Sequence, residues 1–425
     1  MKNNFELAEI FSNNMVFQAD KPLKIFGKCK KSIEIKIAFL NQETKIKTTE
    51  NTFLVEFPPL PEETPAFSIT ITSKKQVVNL YNCLIGDVYL FFGGINMSMT
   101  LKESYHEREF DELVVRVFAC EDEKASWQIA EKSNFTTFSA LSYLFAKSIH
   151  EVIQKPIGII SCNHRESRIF SWMSPTDILS SPEMIRITDS FSEEEKLPLY
   201  SGIKSKIIPF ALKALVFYQG EDDYPYCHVF EDALKAVIKA LRFDLHDLKL
   251  PFFVIQIAGY NHPFADDESV SLIRIAQANI ANDKSQVYLV SAMDFGEMEL
   301  INYQNKHLIA KRLANLTLEK IYKIGKNNES PRYFSHQVFP DHINVFTKGN
   351  FLNLVSSSNQ FLDFTYSENR VDFQPLTGVR VNNNQIIIPR SDKTTDIRYA
   401  IKKYPAADIK SANGLPLLPF WIKIS

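Results

Sequence analysis

Apolar and polar residues follow three different patterns along the chain. Up to about residue 82, short runs place an apolar side chain at every second position, the period of a strand with one covered face. Leu23-Lys24-Ile25-Phe26-Gly27, Ile33-Glu34-Ile35-Lys36-Ile37 and Phe67-Ser68-Ile69-Thr70-Ile71-Thr72 are such runs. Turn residues separate them, Pro58-Pro59 and Pro61 among them. The pattern predicts a small β-sandwich over residues 1–82 that packs against its neighbour.

Over residues 83–325 continuous apolar runs replace the alternation. Val88–Phe92, Pro156–Ile160, Ala214–Tyr218, Phe252–Ile257 and Val287–Ala292 read as strands covered on both faces. Helical periodicity lies between and after them, at Ser139–Ile153, His228–Phe243, Ser269–Asn282 and Gln304–Tyr322. In the second of these, Val229, Ala233, Leu234, Val237, Ile238 and Leu241 recur at helical spacing. Strands alternating with helices predict a central flavodoxin-like α/β domain, a parallel sheet between helices. Over residues 326–425 strand patterns return at Ile343–Phe346, Phe361–Phe364, Gln385–Ile388 and Ile397–Ala400, with Asn382-Asn383-Asn384 as a turn. The fold class is therefore α/β, with N-terminal and C-terminal β-sandwich domains flanking the central one.

Composition narrows the partners. A formal net charge of −2 gives no electrostatic case for nucleic acid, and no polybasic run points to a membrane surface. No apolar stretch approaches the roughly 18–20 residues that span a bilayer. Residues Met1 to Leu7 lack the apolar core of a signal peptide, and the five cysteines are scattered and odd in number. Both features fit reduced thiols in the cytoplasm, the alternative being a mature secreted chain written without its leader. No cysteine spacing suggests zinc, and no cofactor is implied.

The chemistry is expected where Val88-Tyr89-Leu90-Phe91-Phe92 runs into Gly93-Gly94-Ile95-Asn96-Met97. A buried strand ends there in a tight glycine turn, and the carboxyl ends of strands are where open α/β sheets bind ligands. Phe11-Ser12-Asn13-Asn14-Met15 also carries a Ser-Asn pair, but neither a strand nor a glycine turn precedes it.

These segments, taken together, resemble the sialate O-acetylesterases of the SGNH-hydrolase superfamily over nearly the full length. Phe11 to Gln18 is similar to the family's opening block. Gly93-Gly94-Ile95-Asn96-Met97 falls on its Gly-Gln-Ser-Asn-Met. Pro156 to Ile160, continuing to Ile169 to Ser174, resembles its second block, and Phe217-Tyr218-Gln219-Gly220-Glu221 its third. Ile397 to Ala400 and Asn413 to Phe420 match its closing segments. The resemblance implies an N-terminal β-domain, a central SGNH domain, a C-terminal β-domain, and removal of an O-acetyl group from a sugar by a Ser–His–Asp arrangement.

The same alignment implies that this arrangement is lost. Ile95 stands where the family has its nucleophile, and a sec-butyl group cannot attack a carbonyl. Leu300 falls on the family's Asp and Asn302 on its His, with Asn305-Lys306 anchoring the register. His164-Arg165-Glu166-Ser167 replaces Trp-Gly-Gly-Thr, so an altered oxyanion block with Arg165 and Glu166 is expected to penalise a left-handed backbone and fill the cavity. Losing triad members costs about 10⁴–10⁶-fold in rate. Gly93, Gly94, Asn96, Gln219, Gly220 and Glu221 remain as pocket-lining remnants, which either grip a sugar or hold the loops.

Glu221-Asp222-Asp223 reads as an exposed acidic loop in preference to a metal site, and Tyr218, Tyr224 and Tyr226 crowd it. His164, His262 and His307, with Ser98 and Ser161, are the spare imidazoles and hydroxyls. The expectation is a catalytically inactive pseudo-esterase that binds a glycan (sialic acid or another acetylated sugar) or a protein partner. The alternatives are an active carbohydrate O-acetylesterase using unorthodox residues and a structural subunit of an enzyme assembly.

Overall fold

A computed structural model describes residues 4–104, 114–121, 125–193, 195–356, 358 and 360–424. The chain forms two compact units, one of residues 1–217 with 236–252, the other of residues 218–235 with 253–425.

In the first unit the predicted alternation becomes two antiparallel arrangements. Phe5–Leu7, Leu23–Cys29 and Thr52–Phe57 form a three-stranded sheet. Gln42–Lys47, Glu34–Phe39 and Phe67–Ser73 pair in sequence up to the strand Gln76–Gly93. Their covered faces carry Ile35, Ile37, Phe39, Ile69 and Ile71, all buried. The strand Gln76–Gly93 is unbroken through residues 82–83. Its first half alternates between buried and open positions, and its second half is buried at every residue.

That second half pairs in parallel with Ile157–Asn163, which pairs in parallel with Val115–Ala119. Trp127–Ile129 closes this edge antiparallel, and Ala214–Tyr218 flanks the long strand on its other side. The short strand Val16–Gln18 runs parallel to Leu84–Gly86. Gln18 there donates to Asp87 and accepts from the Val88 amide, and Lys213 lies 3.0 Å from the same Asp87 carboxylate. The helix Ala140–Ile153, capped by Ser139, buries Phe145 against Tyr89 and Phe91.

Val115–Ala119 was not anticipated from the sequence. Arg116 interrupts its apolar run, yet this side chain is buried and donates to the carbonyls of Asn14, Met15 and Asn82. The unanticipated strand also corrects the cysteine expectation. Cys120 and Cys162 lie at the ends of neighbouring parallel strands and are joined by a disulfide, with Cα atoms 4.9 Å apart. Only Cys29, Cys83 and Cys227 are free thiols.

The second unit contains the strand Phe252–Gln256 from Phe253 onward, the strand Val287–Ser291, the helices Asp267–Asn279 and Lys306–Thr317, and the C-terminal β-strands. The latter form two four-stranded antiparallel sheets and a two-stranded one around Ile343, Val345, Ile386, Ile388, Ile397, Tyr399 and Leu417. The strand anticipated at Phe361–Phe364 begins only at Phe364, because Phe361 and Asp363 adopt φ of 51° and 69° and turn the chain. No helix of the described residues is long and apolar enough to cross a membrane.

Candidate functional site

Each unit carries one group of the residues singled out by sequence. In the first, the long strand ends at Gly93, whose φ of 145° suits glycine alone, and a single helical turn, Ile95–Ser98, follows Gly94. Ile95 is half-buried at the tip, and Asn96 and Met97 point inward and are fully buried. The Ser98 hydroxyl donates to the Ile95 carbonyl at 3.0 Å. Ser12, in the rejected Ser-Asn pair, accepts from the Trp127 amide and is structural.

The block that replaces the family glycines takes an unstrained path. None of His164, Arg165, Glu166 and Ser167 has positive φ. The His164 amide donates to the Gly93 carbonyl at 2.9 Å, tying the block to the turn. Arg165 reaches outward to the Glu103 carboxylate at 2.5 and 2.6 Å, and Ser167 accepts from the Trp172 indole. The expectation that these side chains fill the cavity is corrected, since the ion pair draws Arg165 aside. A cavity of about 570 Å³ stays open next to the block, lined by Ser98, Glu121, Ser161, Asn163, His164 and Glu166 among others. Glu121 and Asn163 were missed by sequence. The signal that would have found them is the apolar run ending at Ala119, which places Glu121 at a strand end beside Asn163. A wider cleft of about 790 Å³ lies against the N-terminal β-region near Phe26, Phe53 and Ile208 and holds none of the candidate residues.

In the second unit the Gln-Gly-Glu segment is tightly held. Gln219 donates to the Asp223 carboxylate at 2.9 Å and its carbonyl accepts from Gln277 at 2.9 Å. Gly220 has φ of 142°, and a Cβ there would sit 2.9 Å from the Ile273 side chain. These contacts favour the loop-holding role for Gln219 and Gly220. Asp223 is completely buried, which corrects the reading of an exposed acidic loop: the Gln219 amide gives its carboxylate an internal partner. Glu221 and Asp222 are half-buried. Among the described residues no group of three or more His, Cys, Asp or Glu is placed to hold a metal ion.

Leu300 and Asn302 lie on the loop before the helix Lys306–Thr317, Leu300 exposed and Asn302 half-buried. Next to them Tyr303 and Lys306 are completely buried, the ammonium 3.5 Å from the Tyr303 ring centre. Burial lowers the Lys306 pKa from its usual 10.5 to about 7, partly opposed by the nearby Glu221 and Glu297 charges. Burial also raises the Tyr218 and Tyr303 phenols. His262 accepts the amides of Phe264 and Ala265 at Nδ1, and its Nε2 lies 3.6 Å from Asp222. Ser98 and His262 thus belong to different units and each already serves its own loop. His307 is exposed within its helix.

A mixed α/β fold, with chemistry-bearing turns at strand ends and antiparallel β-sheets on either side in sequence, is that of an SGNH-type carbohydrate esterase. A carbohydrate acetylesterase from Xanthomonas citri shares it, with a TM-score of 0.85 at 20% identity over 99% of this chain and 100% of that one. Residues 87–319 match the profile described as carbohydrate esterase, sialic acid-specific acetylesterase, and the chain belongs to that family. It is 22% identical to the sialate O-acetylesterase of Rattus norvegicus over 391 residues, covering 73% of this chain and 72% of that one. The Homo sapiens sialate O-acetylesterase is also 22% identical, over 364 residues, with 73% and 69% covered.

Proposed function

We propose that this member of the family has given up ester hydrolysis and acts as a glycan-binding or protein-interaction module. The observation that carries the reading is Ile95 at the tip of the Gly93-Gly94 turn. A hydrolytic turn needs an oxygen or sulfur atom there, and an imidazole oriented by a carboxylate to take its proton. Leu300 and Asn302, the positions aligned with the family's Asp and His, offer neither group. The runner-up, hydrolysis through Ser98 and His262, is disfavoured by what these residues already do. Ser98 spends its proton on a backbone carbonyl, and His262 Nδ1 holds two amides. Retention of the buried Gln219–Asp223 pair and the Gly220 turn fits loops kept in shape for recognition.

The test is hydrolysis of p-nitrophenyl acetate by the purified chain, beside the Ile95→Ser/Leu300→Asp/Asn302→His variant. The native chain is expected to match the buffer rate. Turnover well above that rate, abolished by Ser98→Ala or His262→Ala, would establish the active-esterase alternative. Activity gained by the triple variant would add that an acetyl group still reaches the turn.

A further inference from the structure

We propose that the cavity at the ends of Val115–Ala119 and Ile157–Asn163 binds a neutral or amino sugar ring through its hydroxyl and amino hydrogens. This rests on the glycan-binding reading above and gives it a place and a ligand class.

Asn163 lines the cavity with only 8% of its surface exposed, and its Oδ1 has no hydrogen-bond partner. Its Nδ2 is committed to Ser161 Oγ at 2.6 Å. His164 Nδ1, also in the lining residues, is likewise buried and unpartnered. Buried polar atoms are satisfied in the great majority of cases, so an orphan acceptor beside an open cavity marks a position for a ligand donor.

Four hydroxyls of the lining have the same polarity. The hydroxyl protons of Ser98, Thr100, Thr137 and Ser139 are all spent on the protein, on Ile95 O, Glu103, Asn134 O and Met97 O. What these side chains still offer is lone pairs. Glu121, whose carboxylate already accepts from the Asn163 backbone amide, and Glu166 add two carboxylates, and the one cationic side chain in the lining, Arg165, is paired with Glu103. A surface of acceptors with excess negative charge favours a ligand rich in O–H and N–H groups and opposes a carboxylate. By this chemistry the cavity discriminates against sialic acid itself. A volume of about 570 Å³ accommodates a sugar ring. The hydrogen bond from the Asn163 backbone amide to the Glu121 carboxylate and the neighbouring Cys120–Cys162 bond hold these residues together before any ligand arrives, which lowers the ordering cost of binding.

The experiment is calorimetric titration of the full chain with methyl β-glucoside, glucosamine and N-acetylneuraminic acid, repeated on Asn163→Leu and Thr137→Trp. Thr137 is exposed at the rim, so its tryptophan closes the cavity without touching the core. Saturable binding of methyl β-glucoside or glucosamine is expected, with N-acetylneuraminic acid at least about tenfold weaker and both variants weaker by at least about tenfold. Preference for N-acetylneuraminic acid would overturn the ligand class. Sugar binding unchanged in both variants would overturn the site while leaving a glycan-binding module elsewhere in the chain. Absence of binding by all three sugars would overturn the inference, and the ester assay would still judge the loss of catalysis independently.

Discussion

Lys306 illustrates what a single residue can hide. In the sequence it serves only to anchor the register at the start of a helix, and a lysine in a first turn ordinarily faces water. The fold buries it completely, with its ammonium over the Tyr303 ring. Its pKa falls to about 7 because burial disfavours the charged form. The unfolded lysine keeps its proton up to its usual 10.5, so between these values the unfolded chain binds more protons than the native one. Stability contributed by this site therefore rises with pH from about 7 upward, by at most about 1.4 kcal/mol per pH unit. Urea unfolding at pH 7 and pH 9 measures it. The native chain should gain on Lys306→Met over that interval, and equal slopes in the two proteins would exclude a titrating Lys306. Ile95 is the opposite case, since its lack of a nucleophilic atom is plain from the sequence alone.

At the scale of elements, the central strands Val88–Phe92, Ala214–Tyr218 and Val287–Ser291 could be read from the sequence because their apolar runs are buried at every position. Val115–Ala119 escaped because Arg116, its second residue, breaks the apolar run. With that strand missing, Cys120 and Cys162 had no reason to meet, and the cavity lined by Glu121 and Asn163 had no wall. The disulfide joins positions 42 apart in sequence. Closing a loop of that length restricts the unfolded chain by about 4 kcal/mol in the chain-entropy description. The Cys120→Ser/Cys162→Ser variant should lose stability on that scale, seen as a lower Tm in differential scanning calorimetry. Dithiothreitol should bring the native chain close to the variant and leave the variant where it was. A native Tm indifferent to reductant would mean that the two thiols are not bonded in solution.

Across the whole chain, the periods point to a mixed α/β class, but not to what secures the second unit internally. The helix Asp267–Asn279 turns polar residues inward: Arg274 and Gln277 are completely buried, as is Gln256 on the neighbouring strand. A pattern reading assigns such positions to the surface, which is why this network was invisible in the sequence. Arg274 donates to the carbonyls of Ile257 and Ala258 at the strand's end and to those of Lys402 and Lys403 in the C-terminal segment, at 2.7 to 3.2 Å. One rigid guanidinium therefore ties the α/β part of the unit to its β-sheets. Arg274→Met should cost at least about 3 kcal/mol, because it leaves buried carbonyls without donors and recovers only part of the loss by apolar packing. Arg274→Lys should recover little, since a single ammonium cannot span both segments. Urea unfolding gives the loss, and limited proteolysis locates it. Cleavage of the variant near residues 402–410 ahead of the rest identifies Arg274 as the tie for that segment, whereas a uniform fall in resistance would assign it to general core packing.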